Sequence, residues 1–299
     1  MKIKHLKNHE IDFQKWDDTI LNAQNSLVYA ESWYLNIVSP NWEALILGDY
    51  EYVMPLPVKR KFGISFLVQP PLTQQLGIFS NQIIDENIVD LFIKNIPYRS
   101  YHLNLNEQNL YNKGIQQPNL LLHLNKDYQT LFAAYSTNTK RNIKKVQEYK
   151  IEIKKHLSAN EFLEFYHATE KNYPTEPDVK VNNLIKEVFR EEISLYGAYN
   201  KNNELVSALC LLHSPKRLIY LLPVSNEEGK ECLAMFKIVD EIIKNYANRD
   251  FLLDFAGSNI DSISRFYQGF GAEKHFYPMI KKWSINDFIE KLFLFARNK

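Results

Sequence analysis

Five consecutive residues, Phe251-Leu252-Leu253-Asp254-Phe255, lack the apolar–polar alternation of a strand with one wet face. Such a run is a strand covered on both faces, which places it inside a sheet that carries helices on each side. That narrows this 299-residue chain to the α/β or α+β classes. The surroundings agree. Glu231–Tyr246 and Asp261–Phe270 have helical periodicity. Leu195–Tyr199, Leu205–His213 and Arg217–Leu222 read as an antiparallel meander with turns at Asn202-Asn203 and Ser214-Pro215. His275–Trp283 reads as a closing strand.

Upstream the order of elements is similar. Residues 9–23 have helical spacing. Trp42–Leu47 and Tyr50–Leu56 form a predicted hairpin around Gly48-Asp49. Ile64–Gln69 is a strand stopped by Pro70-Pro71. Asp85–Ile96 is a helix with acidic residues in its first turn, and Tyr101–Leu105 is a strand. Asn106–Asn119 is polar and reads as a linker. Leu120–Leu124 then reopens the pattern as a strand, Asp127–Tyr149 as one long helix with a basic end, and Ile151–Lys155 as a strand. Ser158 caps a helix over Ala159–Asn172, with Glu161 at the capping-box position, and Val181–Glu192 is helical. Helix, meander, helix and strand thus occur twice, which predicts two domains, 1–118 and 119–299, each a mixed, mainly antiparallel sheet flanked by helices.

Apolar residues make up 45% of the chain and charged residues 24%, so a core of ordinary size needs no staple. The net charge of +1 argues against a DNA-binding protein. Cys210 and Cys232 show no zinc or redox spacing and read as buried or free thiols of a reducing compartment. No metal is expected. The first residues lack a signal-peptide core and no stretch is apolar enough to span a bilayer, so the expectation is a cytoplasmic protein. The amphipathic segment Asp287–Lys299 is expected to pack on the body.

Three segments carry residues suited to chemistry. First, Pro223–Lys230 joins the strand Arg217–Leu222 to the helix from Glu231. A loop entering a helix offers free N–H groups to an anion, with Val224, Asn226, Gly229 and Lys230 as candidates; an ordinary capped surface loop is the competing reading. Second, Asp254–Asn259 follows the buried strand and leads into a helix holding Tyr267. Asn259 either caps that helix or meets a ligand, and Tyr267 either packs in the core or returns its hydroxyl over the strand end. Third, Lys140, Arg141, Lys144, Lys145, Lys150, Lys154 and Lys155 form a basic run, either a solvated face or an anion contact.

Together the first two segments resemble the GNAT acyltransferase superfamily, whose phosphate loop has the form Q/R-x-x-G-x-G/A. Asn226-Glu227-Glu228-Gly229-Lys230-Glu231 keeps the central glycine. Tyr267-Gln268-Gly269-Phe270-Gly271-Ala272 is similar to the superfamily's Y-x-x-x-G-F, with Ala for Phe. A closer resemblance is to the Fem-type peptidoglycan aminoacyltransferases and their acetyltransferase-like relatives, which are double-GNAT proteins. Ser136–Lys145, Leu253–Ser258, Phe266–Ala272, Met54–Pro57 and Pro70–Gly77 carry it. The Fem-type coiled-coil arm is missing, since Ser158–Glu192 offers only short helices.

The resemblance implies an acyl-CoA co-substrate, acetyl-CoA or another, held near Val224, Asn226, Gly229, Lys230 and Asn259. Tyr267 is then the proton donor, and Arg141, Lys144 and Asp254 contact the acceptor, a small-molecule or peptide amine. The amine must arrive neutral, which costs roughly 4–5 kcal/mol at pH 7 for a lysine-like pKa of ~10.4. Asp254, Glu176 or a water chain is the base. Two other readings are kept: aminoacyl transfer from charged tRNA, which the missing arm disfavours, and a non-catalytic protein that binds an anion.

Overall fold

A computed structural model describes residues 2–61, 63–169, 178–257 and 260–283. The chain forms two compact units. One takes the described residues within Met1–Gln117, Pro174–Val181 and Phe276–Lys299, the other those within Pro118–Tyr173 and Asn182–His275. Glu176 and the segment 287–299 lie outside the described residues.

The first unit opens with β1 (Lys4–Leu6), α1 (Phe13–Asn22) and α2 (Ser32–Val38), followed by β2 (Glu43–Leu47) and β3 (Tyr52–Leu56). β4 (Val58–Lys61), β5 (Ile64–Val68), β6 (Phe79–Ser80), α3 (Glu86–Lys94) and β7 (Tyr101–Asn104) complete its first pass. β1, β2, β3 and β6 pair in that order, all antiparallel. β4 pairs antiparallel with β5, and β5 parallel with β7. Asp12 and Asp85 cap α1 and α3 by accepting the amides of Lys15 and Ile88. Leu45, Met54, Leu67, Val89, Phe92 and Leu103 lie in one buried cluster.

Two buried polar knots fix this unit. Glu43 on β2 is 8% exposed and accepts bonds from Lys7 at 2.8 Å and Tyr98 at 2.7 Å, with His5 at 2.5 Å. The turn after Pro70 is held from inside. Gln69 receives the Asn104 amide at 3.0 Å, Gln75 the Glu107 amide at 2.8 Å and Asn109 the Ile78 amide at 2.8 Å. Gly77 sits there at φ +96°, where an added Cβ would lie 2.3 Å from Asn109 Oδ1 and 2.7 Å from the Asn106 nitrogen.

The second unit contains β8 (Ile115–His123, from Pro118 on), α4 (Tyr128–Ala133), α5 (Thr137–Val146), β9 (Glu152–Lys155) and α6 (Ala159–Ala168). α7 (Asp178–Lys186, from Asn182 on), β10 (Ile193–Tyr199), β11 (Leu205–Ser214) and β12 (Arg217–Ser225) follow. α8 (Glu227–Glu231), α9 (Ala234–Tyr246), β13 (Leu252–Asp254), α10 (Asp261–Gln268) and the start of β14 (Glu273–Lys282) end it. The strand order is β8-β13-β12-β11-β10-β9. Only β12 and β13 are parallel within it; the other pairs are antiparallel. α9 buries Ala234, Ile238, Val239, Ile242 and Ile243 on one face, at helical spacing, against the core under this sheet.

Several sequence expectations need correction. The single helix over 127–149 is two helices, because the Ser136 hydroxyl accepts the Thr139 amide at 3.1 Å and starts a new N-terminus. The linker over 106–119 already contains strand from Ile115, and α7 spans Asp178–Lys186 rather than 181–192. Glu161 makes no capping box: it receives the Tyr199 hydroxyl, while Ser158 alone caps α6. The second domain is not the continuous segment 119–299. From Phe276 on, β14 belongs to the first unit, where Met279–Lys282 pair antiparallel with Tyr101–Asn104.

Two predictions follow from the first unit. Gly77→Ala forces a side chain into backbone at positive φ, and a urea melt should show about 3 kcal/mol of lost stability. Burial alone raises the Glu43 pKa, but Lys7, Tyr98 and His5 outweigh it and hold the carboxyl low. Its contribution is therefore complete above the ordinary glutamate value of 4.5 and is lost as pH falls through that range. Glu43→Gln should lower the melting temperature at pH 7 and flatten its decline between about pH 5 and pH 3.

Candidate functional site

The second unit's parallel pair is short. Arg217, Leu218 and Ile219 of β12 face Leu252, Leu253 and Asp254 of β13, and there the pairing ends. β12 continues to Ser225 against β11. The continuation of β13 keeps to β8, where the Phe255 amide donates to the Leu120 carbonyl at 3.0 Å. The two strands therefore diverge into a fork, and among the described residues no strand pairs with that edge of β12 beyond Ile219. Tyr220 faces Leu211 while Leu222 faces Cys210, so Leu221 is an extra residue, a bulge that bends β12 at the mouth of the fork. Pro223, which has no N–H for a ladder, falls in this stretch; proline is tolerated where a strand has a neighbour on one side only.

A buried ion pair stands at the crotch. Arg217 Nη1 donates to Asp254 Oδ2 at 2.8 Å, with the two residues 8% and 1% exposed. The other carboxylate oxygen accepts the Ala256 amide at 2.8 Å, and Ala256 and Gly257 take φ of +54° and +62°. Asp254 thus shapes the turn that leaves β13. Its carboxylate is bonded on both oxygens, which makes it a strut of the fork.

Aromatic rings fill the root. Tyr267 on α10 stacks on Phe255 at 4.5 Å and 21°, and Tyr220 meets Tyr267 at 5.6 Å and Phe255 at 5.7 Å. Phe266 links the group to α9, its centroid 5.7 Å from that of Tyr267 and 4.7 Å from that of Phe236. Beside this contact is a cleft of about 470 Å³, lined by Ser136, Asn138 and Thr139 of the α5 corner, Phe236, and Ser262, Arg265 and Phe266 of α10. That corner is tied down from within. Tyr128 and Tyr135 donate to Asp240 of α9 at 3.0 and 2.9 Å, burial pushes the Asp240 pKa up, and the Ser136 amide donates to the Gly269 carbonyl at 2.9 Å.

The remaining expected residues occupy a different environment. Residues 223–230 are not a loop: β12 runs to Ser225, and α8 is a helical turn that starts at Glu227. Val224 is buried opposite Ala208. Asn226 caps α8 by accepting the Gly229 amide at 2.8 Å, and its carbonyl accepts the Lys230 amide at 3.1 Å. Gly229 packs on β11, where an added Cβ would lie 2.0 Å from the Val206 carbonyl oxygen. Lys230 is exposed and bonds to Glu227 at 2.5 Å. Gly229 packs against Val206 and Ser207, and Tyr267 against Tyr220, Phe255 and Phe266. Arg141 and Lys144 are exposed on α5, Arg141 bonded to Asn138 at 2.6 Å. Asn259 lies outside the described residues. Both cysteines are buried, and burial pushes both thiols up. Among the described residues no group of three His, Cys, Asp or Glu could hold a metal ion, and no helix is long and apolar enough to cross a membrane.

Sequence reasoning singled out the segment with Phe255 and the helix with Arg265, but not Arg217 or Tyr220. One signal was available: Arg217 and Asp254 are opposite charges in strands that are otherwise apolar, and buried charges are paired. Truncating one partner leaves the other uncompensated, so Arg217→Ala and Asp254→Ala should each cost about 3–5 kcal/mol, whereas Arg217→Met with Asp254→Leu should recover most of that loss. Urea melts of the three variants check this, and a double variant no more stable than the singles would contradict it.

No family model and no curated protein matches this chain in sequence. Solved structures do match in fold. FemX superposes with a TM-score of 0.66 at 10% identity over 99% of this chain and 100% of that one. The C-terminal domain of a putative lysylphosphatidylglycerol synthetase from Agrobacterium fabrum gives 0.55 at 7% identity, covering 95% of both chains. L-PGS from Bacillus licheniformis gives 0.54 at 8%, covering 88% and 90%. The architecture of this chain is therefore the GNAT-like, Fem-type fold.

Proposed function

We propose that the second unit transfers an acyl or aminoacyl group onto an amine, with the reacting carbonyl seated in the fork between β12 and β13. The observation that carries this reading is the divergence of two parallel neighbours beyond Ile219 and Asp254, beside a bulge at Leu221. An open strand edge presents main-chain N–H groups, and such donors stabilise a carbonyl oxygen as it takes up negative charge. The amine nitrogen attacks the acyl carbon. A C–N bond forms while the bond from that carbon to the donor's sulfur or oxygen breaks. The amine gives up a proton and the leaving group takes one. Tyr267, at the root of the fork, is our candidate for the group that supplies it.

Two donors fit this chemistry, a coenzyme A thioester and an aminoacyl ester of tRNA. Arg265 and the hydroxyls of Ser136 and Ser262 give the cleft beside α10 a character suited to phosphate, which supports coenzyme A. The region of Gly229 favours the second donor. There the amides of Gly229 and Lys230 are already bonded, and Glu227 and Glu228 put negative charge in the first turn of α8, which opposes a pyrophosphate. The basic face carrying Arg141 and Lys144 suits a polyanionic donor.

The test is transfer from acetyl-CoA and from a pool of aminoacyl-tRNAs to small-molecule and peptide amines. Tyr267→Phe keeps the ring stack and removes the hydroxyl. It should lower kcat about 100-fold with KM and melting temperature nearly unchanged. Unchanged turnover would remove Tyr267 from the mechanism, and no transfer from either donor would sink the proposal.

A further inference from the structure

We propose that Ser194 of β10 and His213 of β11 form a nucleophile and its base, a second reactive site of the second unit that takes an acyl group from small carboxylic esters. The proposal does not rest on the acyl-transfer reading above. Strand register makes the pair. Ser194 faces Leu211 across the ladder, and two residues further on the His213 amide donates to the Glu192 carbonyl at 2.8 Å. Side chains alternate along a strand, so Glu192, Ser194 and His213 fall on one face. The Ser194 hydroxyl and His213 Nε2 lie 2.9 Å apart, the reach that proton transfer needs. Ser194 is the one residue of β10 that is not buried, and His213 is one of two in β11. A reagent in solvent can therefore meet the serine, which separates this pair from a polar bond sealed inside a core.

The imidazole is in the state a base requires. Burial lowers the His213 pKa below the ordinary 6.5, and the nearby Glu192 only partly opposes this. The ring is therefore neutral at pH 7, and the tautomer with its proton on Nδ1 leaves the Nε2 lone pair for the serine hydroxyl. Glu192 favours the cation that forms as the proton moves. Tyr246 of α9 flanks the ring at 6.2 Å, and burial raises its hydroxyl pKa, so it stays neutral. The Arg249 guanidinium lies 5.2 Å from the Tyr246 ring. That ring gives an aromatic leaving group a flat wall. In the reaction Ser194 Oγ attacks the ester carbonyl carbon while Nε2 takes the hydroxyl proton. The bond from that carbon to the leaving oxygen breaks, and the imidazolium returns the proton to that oxygen. Water then attacks the acyl-serine, which releases the acid and restores the hydroxyl, its proton passing through the same nitrogen.

The experiment treats the full chain with an alkyl fluorophosphonate, which captures serines that have a base beside them, and locates the adduct by peptide mass spectrometry. Ser194 should react about 100-fold faster than the exposed Ser136 and Ser262, and His213→Gln should slow it by a similar factor. The wild-type rate should rise with pH through a midpoint below the ordinary histidine value of 6.5, because only the neutral ring accepts the proton. Ser194→Cys puts a thiol against the same ring. It should take up iodoacetamide at neutral pH, while Cys210 and Cys232, buried and with thiols pushed up by burial, stay intact. With p-nitrophenyl acetate the wild type should release p-nitrophenol about 100-fold faster than Ser194→Ala. No adduct on Ser194, an adduct formed no faster than on Ser136, or a rate that His213→Gln leaves unchanged would overturn the proposal. If that variant fails to fold, the wild-type pH profile decides, and a rate flat between about pH 5 and pH 8 would count against the pair.

Discussion

The second unit depends on one buried contact, the Arg217–Asp254 pair. Removing two charges from water is expensive, and their mutual attraction does little more than offset it, so the pair is weak evidence for stability. Its effect is on register. The two residues lie on neighbouring parallel strands within the three rungs that join them. A slip of either strand by one residue would turn its charge to the opposite face and leave both charges buried alone, a cost that a leucine ladder would not impose. The same carboxylate takes the Ala256 amide, so the residue that fixes the last rung also starts the departure of the chain. Where pairing ends is therefore specified by chemistry, and the fork has a defined depth.

The opposite end of β12 is organised by packing. α8 is drawn onto β11 so closely that its glycine has no room for a side chain, and Asn226 supplies the cap. A glycine in a loop before a helix commonly serves the approach of a ligand; this one serves the approach of a strand. The two uses look alike in one dimension because both need a missing Cβ. The acidic pair Glu227 and Glu228 completes the ordinary chemistry of a helix start, complementing the positive end of its dipole.

Much of the fold was legible because the signals were local. Ser158, Asp85 and Asp127 act as caps, accepting the amide three residues on. The apolar face of α9 and the buried run at β13 gave the class of the second unit. What was not legible depended on partners distant in sequence. Nothing near residue 217 says that it will meet residue 254, and the rings at 220, 255 and 267 converge only after two strands and a helix are assembled. Pro223 was a missed clue. Read as the stop of a strand, it is instead a residue of β12 lying where the strand has lost one neighbour. Ser136 was a second: inside a basic helical pattern it was passed over, although a serine three residues before a buried threonine is a helix start.

The last described strand has a consequence for how the protein is made. β7 of the first unit takes one of its neighbours from Met279–Lys282, which leave the ribosome only after the whole second unit has been synthesised. Until then that edge of β7 carries unsatisfied main-chain groups, the kind of template on which chains aggregate. Vectorial synthesis therefore cannot finish the two units in the order in which they begin. The second can close while the first still waits for its final strand.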